Sequence, residues 1–295
     1  MNDRDLQAWA TELKSESEVR EREERKQKLK IANELGSQVI SLSRFVNSHN
    51  IMRLPLFSTK YVRNGRRTKP IVFKSQDGSV SFKVSGANGL PDQAEGNIVR
   101  YAISKARKIR RRIGVTPQYV EVTRYELLTA LGRATSGKSY KKLEESLQCL
   151  AGMQITGNVF AKDSLYTGTL VSFQYTKTED DKVDKIRIIF NPQLHAHLEE
   201  EKAVLAIPNE ILFETNALRI RLMEIVQSGM GYQNKWMMKL SYLKELCVYD
   251  RELKYFKRDI NRLDLPYDLS FIKGESREQI AVFARRLNPK TIEQK

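Results

Sequence analysis

One local order of elements occurs twice along the chain, and it restricts the fold more than any bulk property does. Val120-Glu121-Val122 alternates as a short strand, Thr123 is placed to cap a helix, and Glu126 three residues on would complete a capping box. Leu127, Leu128 and Leu131 give that helix a buried side. A turn over 132–138 leads to a second helix, 139–151, with Tyr140, Leu143, Leu147 and Leu150 on one face, and then to a strand over 153–160. Far downstream the order returns: Met238-Lys239-Leu240 as strand, Ser241 as cap, Leu243 and Leu246 on a short helix, Val248-Tyr249-Asp250 as turn. A helix over 251–263 follows, with Leu253, Phe256, Ile260 and Leu263 on its apolar side. Pro266 stops it, and 269–272 and 280–283 read as strands joined across Lys273-Gly274-Glu275-Ser276. Residue identity between the copies is low, so what repeats is the order. Strand, helix, turn, helix and hairpin in succession predict a winged helix, a helix-turn-helix whose second helix can lie in the major groove of DNA.

The expected fold class is therefore α+β: two tandem winged-helix (helix-turn-helix) domains with a charged N-terminal helical arm. The expected boundaries are 1–50 for the arm, 51–207 for the first domain and 208–295 for the second. The arm reads as helix from residue 3 to about 48, and 20–28 is charged almost without interruption, a solvated stretch. Leu29, Ile31, Leu35, Val39, Ile40 and Leu42 then fit a helix that packs on the body of the protein or on a second copy. From Ile71 to Val84 two alternating apolar runs flank Asp77-Gly78, a hairpin signal in which both turn residues would take positive φ. Between the two copies lie a long β segment (165–175 and 185–190), a short helix after Asn191-Pro192 and a helix over 216–227.

With 295 residues, 40% of them hydrophobic, the chain can build a core for each domain. A net charge of +15 exceeds what solubility needs and suits a polyanion, which tilts the expected partner toward double-stranded DNA. No apolar run approaches the roughly 18 residues of a membrane span, and Met1-Asn2-Asp3-Arg4-Asp5 lacks the order of a signal peptide, so a cytoplasmic protein is expected. Cys149 and Cys247 sit in amphipathic patterns and read as reduced core thiols.

The candidate DNA-binding residues fall in three places. The helix 95–113 places Ile98, Ala102, Ile103, Ala106 and Ile109 at helical spacing; Arg100, Lys105, Arg107, Lys108, Arg110, Arg111 and Arg112 supply its charge, with no acidic residue before Glu121. Arg107, Lys108, Arg110, Arg111 and Arg112 are expected to meet or steer phosphate. In the first copy Lys138, Lys141 and Lys142 share a face, with Glu145 next on it. In the second, Lys254, Lys257, Arg258 and Asn261 follow i, i+3, i+4, i+7. That stripe carries two point charges, a fork donor for guanine and an amide suited to adenine, the better base-reading set.

Two motifs point toward enzymes. Gly132-Arg133-Ala134-Thr135-Ser136-Gly137-Lys138-Ser139 fits the P-loop pattern, but a helix precedes it where a buried strand is needed, and no apolar strand ends in an Asp for magnesium. Arg133, Ser136, Lys138 and Ser139 are instead expected to hold a backbone phosphate of DNA at a helix N-terminus. His195-Ala196-His197 has the spacing of the metal pair of rolling-circle nickases, but Asn191-Pro192 starts a helix there, which turns the two rings apart. No catalytic residue, metal or cofactor is expected.

Leu54-Pro55-Leu56-Phe57-Ser58, the stretch LLTALGRATSGKSYKKLEESLQCLAGMQITGNV over 127–159, Val204-Leu205-Ala206-Ile207-Pro208, and Leu218-Arg219-Ile220-Arg221-Leu222-Met223-Glu224-Ile225 together resemble the plasmid replication initiator protein A family, over about residues 51–265. The resemblance implies tandem winged helices, binding of repeated origin sequences (iterons), local duplex opening and recruitment of the host initiator and replicative helicase. It also implies plasmid copy control and self-repression as a homodimer. The acidic tip Thr178-Glu179-Asp180-Asp181-Lys182 is unlike a phosphate-binding wing. Weighed against initiation are a winged-helix repressor without replication activity and, further off, a P-loop hydrolase or nickase.

Overall fold

The computed structural model describes residues 3–40, 42, 45–59, 66–160, 165–177, 183–200, 204–274 and 278–286. The acidic tip over 178–182 therefore lies outside the described residues, as do 275–277 of the second hairpin.

The opening helix, α1 (Asp3–Gly36), stops well short of residue 48, and Phe45–Ser48 form a fully buried strand, β1. The strand is drawn inside because its polar residues find partners there: Val46 N–H donates to Ser104 Oγ at 2.9 Å and Asn47 Nδ2 to Glu224 Oε1 at 2.7 Å. The 20–28 segment of α1 is exposed, as its charge predicts, apart from an ion pair of Arg25 with Glu199 at 3.8 Å. Its base packs on the body through buried Ala32 and through Leu35, and Asn33 Oδ1 accepts the Gln118 N–H at 2.9 Å.

After α2 (His49–Arg53) come β2 (Ile71–Lys74) and β3 (Ser81–Gly86), the expected hairpin. Its turn differs from the two-residue type: only Gly78 has positive φ (68°), and Asp77 instead accepts hydrogen bonds from the Ser75 and Ser79 hydroxyls. Those bonds hold its exposed carboxyl down at about 2. The long helix α3 (Gln93–Ile113) follows, opened by a capping box of Asp92 and Glu95. Then come β4 (Tyr119–Thr123), α4 (Arg124–Ala130), α5 (Gly137–Ala151), β5 (Met153–Gly157), β6 (Tyr166–Gly168), β7 (Val171–Lys177) and β8 (Val183–Phe190). The chain continues through α6 (Pro192–Glu199), β9 (Val204–Ile207), α7 (Glu210–Phe213), α8 (Ala217–Met230), β10 (Lys235–Lys239), α9 (Leu240–Leu246), α10 (Leu253–Asn261), β11 (Tyr267–Lys273) and β12 (Gln279–Arg285).

The strands form the orders β1-β9, β2-β3-β5-β6, β4-β8-β7 and β10-β12-β11, and every strand pairing in them is antiparallel. The strand after α5 thus joins the β2–β3 hairpin, while β7 and β8 reach back to β4. The last two sheets repeat one another: the strand leading into a helix pair lies at one edge, beside the second strand of the hairpin that follows the pair.

α3 runs through the middle of the molecule, touching β1, α1, α5, α7, α8 and β4. Every residue from Gln93 to Ala106 is buried, so the basic run is not one solvent-facing stripe. Arg100 and Lys105, read from sequence as surface charge, are fully buried. Arg100 Nε and Nη2 donate to the two oxygens of Glu224 at 2.7 and 2.8 Å, while Arg221, on α8, donates to the Met52, Arg53 and Leu246 carbonyls. Lys105 Nζ donates to the Glu121 carbonyl at 2.6 Å. Burial without such partners would cost several kcal/mol per ion, about 3–5 when one partner of a buried pair is removed. Glu126, expected to close a capping box at Thr123, has its carboxylate against Tyr101 and Lys105 instead; Thr123 Oγ1 alone caps α4, accepting the Glu126 N–H at 3.0 Å. Cys149 and Cys247 are buried and unbridged, and burial pushes both thiols up to about 12. No helix among the described residues is long and apolar enough to cross a membrane.

Candidate nucleic-acid interface

The two helix pairs are built to one plan. α4 and α9 have seven residues each, a strand runs directly into both, and six residues separate each from the helix that follows. Both turns are Schellman caps, in which the two residues after the C-cap (Leu131 and Cys247) donate back to carbonyls of the helix's last turn. In the first, Gly132 N–H donates to Thr129 O at 3.0 Å and Arg133 N–H to Leu128 O at 2.8 Å. In the second, Val248 N–H donates to Glu245 O at 2.8 Å and Tyr249 N–H to Lys244 O at 3.2 Å. The pivot must be left-handed: Gly132 has φ 63°, and Val248 has φ 50°, an uncommon conformation for a β-branched residue.

This geometry engages the first two amides of the glycine-rich segment 132–139. A P-loop aims its backbone amides at phosphate; here the Gly132 and Arg133 amides are spent on the C-terminus of α4. Gly132 also has Phe213 directly over it, with 2.7 Å to where a Cβ would stand. Arg133 turns inward, Nη2 donating to Ala94 O at 2.8 Å, and burial pulls its guanidinium below the usual arginine range. Ser136 caps α5, its Oγ accepting the Ser139 N–H at 3.4 Å and lying 3.1 Å from Ser139 Oγ. Leu143, Ser146, Leu147 and Leu150 face the core, and Lys138, Lys141 and Lys142 are exposed without an ion pair to any described residue.

α10 is shorter, and its charges are engaged. Phe256 and Ile260 are buried. Lys254 pairs with Glu252 at 2.9 Å, and Lys257 lies 4.6 Å over the Phe271 ring, flanking the hairpin rather than facing outward. Arg258 Nε donates to Asp259 Oδ1 at 3.0 Å. The Tyr255 ring carries Arg251, Lys254 and Arg258 at 4.4, 4.9 and 5.2 Å. Asn261 is exposed. So are Arg251 and Arg262, which the i, i+3, i+4, i+7 rule passed over; four-residue spacing from Arg258 to Arg262 would have found the second. Ser241, expected to cap α9, lies inside it, with Oγ 3.2 Å from Glu278 Oε1.

The basic tail of α3 lies elsewhere. Arg111 and Arg112 are exposed, Arg107 and Lys108 half-buried, and Arg110 Nη2 donates to Glu199 O at 2.7 Å. Arg133 touches the first turn of α3, about 25 Å along the helix from Arg111 at 1.5 Å per residue, so the tail and the α5 loop do not share a patch. What ties the two helix pairs together is a pair the sequence reading missed. Arg66 donates to Glu95 and, through Nη2, to Glu145 O of α5 at 3.3 Å. The next residue, Arg67, pairs through Nη1 with Asp250 in the α9–α10 turn at 2.7 Å. Alternation and helical spacing are blind to such loop residues.

The two histidines diverge as predicted. His195 Nε2 is 3.0 Å from Thr116 O, whereas His197 is buried against Phe160, and burial holds it below the usual imidazole range. Among the described residues no three His, Cys, Asp or Glu side chains are grouped to hold a metal.

A family model described as Replication initiator protein A matches residues 46–268. None of the curated proteins matches the chain. Among solved structures, a crystal structure of selenomethionine derivatives of domains 2 and 3 of RctB is similar with a TM-score of 0.59 and 11% identity, covering 81% of this chain and 99% of that one. A second crystal structure of RctB domains 2–3 gives a TM-score of 0.50 at 11% identity, covering 81% and 97%. At that identity the likeness is one of fold.

Proposed function

The chain belongs to the Replication initiator protein A family, and we propose that it acts as a plasmid replication initiator by binding repeated sequences (iterons) in duplex origin DNA. Each helix pair with its three-stranded sheet is read as a winged helix, and α5 and α10 as the helices that enter successive major grooves. The observation that carries this reading is the repeat itself: two capped helix pairs of one plan, each presenting a basic second helix to solvent. Lys138, Lys141 and Lys142, with the Ser136–Ser139 start of α5, suit phosphate. Arg258 and Asn261, helped by Arg251 and Arg262, suit base edges. Arg111 and Arg112 would reach backbone farther along the duplex. Origin opening, recruitment of the host initiator and replicative helicase, self-repression as a homodimer and a cytoplasmic location belong to the same proposal.

The protein performs no covalent chemistry in this reading: the first two amides of the P-loop-like segment cap α4, a helix rather than a buried strand leads into it, and the two histidines point apart. Footprinting on DNA flanking the gene is expected to protect repeats whose spacing matches two adjacent grooves. The origin fragment should then replicate when the protein is supplied in trans. Repression of a reporter without replication would make it a repressor, and nucleotide turnover or nicked supercoiled DNA would overturn the non-enzymatic reading.

A further inference from the structure

Asp259 places a carboxylate among the cations of α10. Its Oδ1 accepts from Arg258 Nε at 3.0 Å, Arg251 Nη1 lies 3.8 Å from Oδ2, and the Tyr249 hydroxyl donates to Oδ2. Tyr249 is fixed within the α9–α10 turn, its ring packed on buried Phe256 with centroids 5.1 Å apart. Sequence neighbours on a helix do not face each other, so Arg258 has curled back to meet Asp259, and the Tyr255 ring supports it from the side at 5.2 Å.

Any group that Arg258 takes from DNA must share the guanidinium with this carboxylate. A phosphate would set a second anion a few ångströms from Asp259. The O6 and N7 acceptors of guanine are neutral and bring no such repulsion, and a guanidinium has five N–H donors, enough to serve both. Resting on the reading of α10 as a groove helix, we propose that Asp259 is a positioning residue for specificity. It disfavours phosphate at Arg258 and presents the remaining donors to a base edge, so that α10 discriminates between sequences instead of clamping backbone. Tyr249 holds the carboxylate in place.

The test uses the full chain, with fluorescence anisotropy on the footprinted duplex and on a scrambled duplex of the same length and composition. Asp259→Asn is expected to raise affinity for the scrambled duplex about tenfold and that for the footprinted one less than about threefold, lowering the specificity ratio. Tyr249→Phe should move the ratio in the same direction by less. Glu252→Gln removes an equal charge beside the same helix, where it pairs with Lys254, and should leave the ratio unchanged. Equal tightening on both duplexes by Asp259→Asn and Glu252→Gln would make Asp259 a bulk charge and overturn the proposal. Arg258→Ala separates the two levels. If it leaves footprinted-duplex binding intact, the reading of α10 falls; if it weakens that binding while Asp259→Asn leaves the ratio unmoved, only the role of Asp259 falls.

Discussion

α5 and α10 hold the same place in two copies of one plan, yet they offer different chemistry. α5 is fifteen residues long, capped by Ser136, and its Lys138, Lys141 and Lys142 stand in solvent without ion pairs to described residues. α10 is nine residues long, and Arg251, Lys254 and Arg258 are engaged by Tyr255, Glu252 and Asp259. An ammonium on a flexible stem is a point charge that suits phosphate, whereas a guanidinium held in one orientation suits a planar pair of acceptors. The difference teaches that a repeated plan need not carry repeated chemistry: in the proposed reading one copy holds DNA and the other reads it.

That proposed division of labour needs the two copies to move as one body, and besides Arg66 and Arg67 the buried network around Glu224 helps to join them. Glu224 accepts from Arg100 of α3 and Asn47 of β1, while neighbouring Arg221 reaches carbonyls of α2 and α9. Glu224→Ala leaves two arginines buried without their carboxylate and is expected to lower stability by about 3–5 kcal/mol in urea unfolding. A smaller loss would mean that the copies are coupled mainly by apolar packing.

The paired turns give the next largest contrast. Gly132→Val forces a β-branched residue into left-handed backbone, at about 1–2 kcal/mol, and drives its Cβ into Phe213. With overpacking of about 1–3 kcal/mol, the expected total is roughly 2–5 kcal/mol. Val248→Gly relieves the corresponding strain but adds about 0.5–1 kcal/mol of chain entropy, so it should fall within about 1 kcal/mol of neutral. Thermal unfolding of both variants measures the asymmetry directly.

How much of this was legible in the sequence follows from how local each determinant is. Caps, turns and apolar stripes lie within a few residues of one another, so α4, α5, α9 and α10 could be placed, as could the divergence of His195 and His197. Sheet partners are not local: β5 pairs with β3 rather than finishing the first copy, and β4 finds β8 across more than sixty residues. Burial of charge is not local either. Arg100 looked like surface until Glu224, far along the chain, supplied its partner. The P-loop pattern, set aside already on the helix that precedes it, arises because a Schellman cap followed by an N-cap uses glycine and serine at the same spacing for a different reason. Arg66 and Arg67 carry no periodic signal, and Asp259 escaped notice because the neighbouring-position rule says that it should not meet Arg258.

DNA binding divides the helices at lower cost. Arg258→Ala should weaken specific binding by about 1–3 kcal/mol and relax base preference at one position. Lys142→Ala should weaken all sequences alike, by less, and reduce the slope of log affinity against log salt by about one. Titrating both variants against footprinted and scrambled duplexes over a range of salt checks the contrast. If Lys142→Ala changed base preference and Arg258→Ala changed only the slope, the roles of the two helices would be reversed.

The smallest expected effect lies within α10 alone. The Tyr249 hydroxyl, then Arg258 and Arg251, hold the Asp259 carboxyl below the usual aspartate range against the opposing pull of partial burial. Because the folded form binds the proton less readily than the unfolded chain, the contribution is present above the unfolded-chain pKa and is lost as pH falls through the folded one. Carboxyl-carbon NMR should therefore find the Asp259 midpoint below the usual aspartate range and find it higher in Tyr249→Phe, since the largest cause has been removed. A midpoint unmoved by Tyr249→Phe would assign the effect to the arginines, and the α9–α10 turn would then have no part in orienting Arg258.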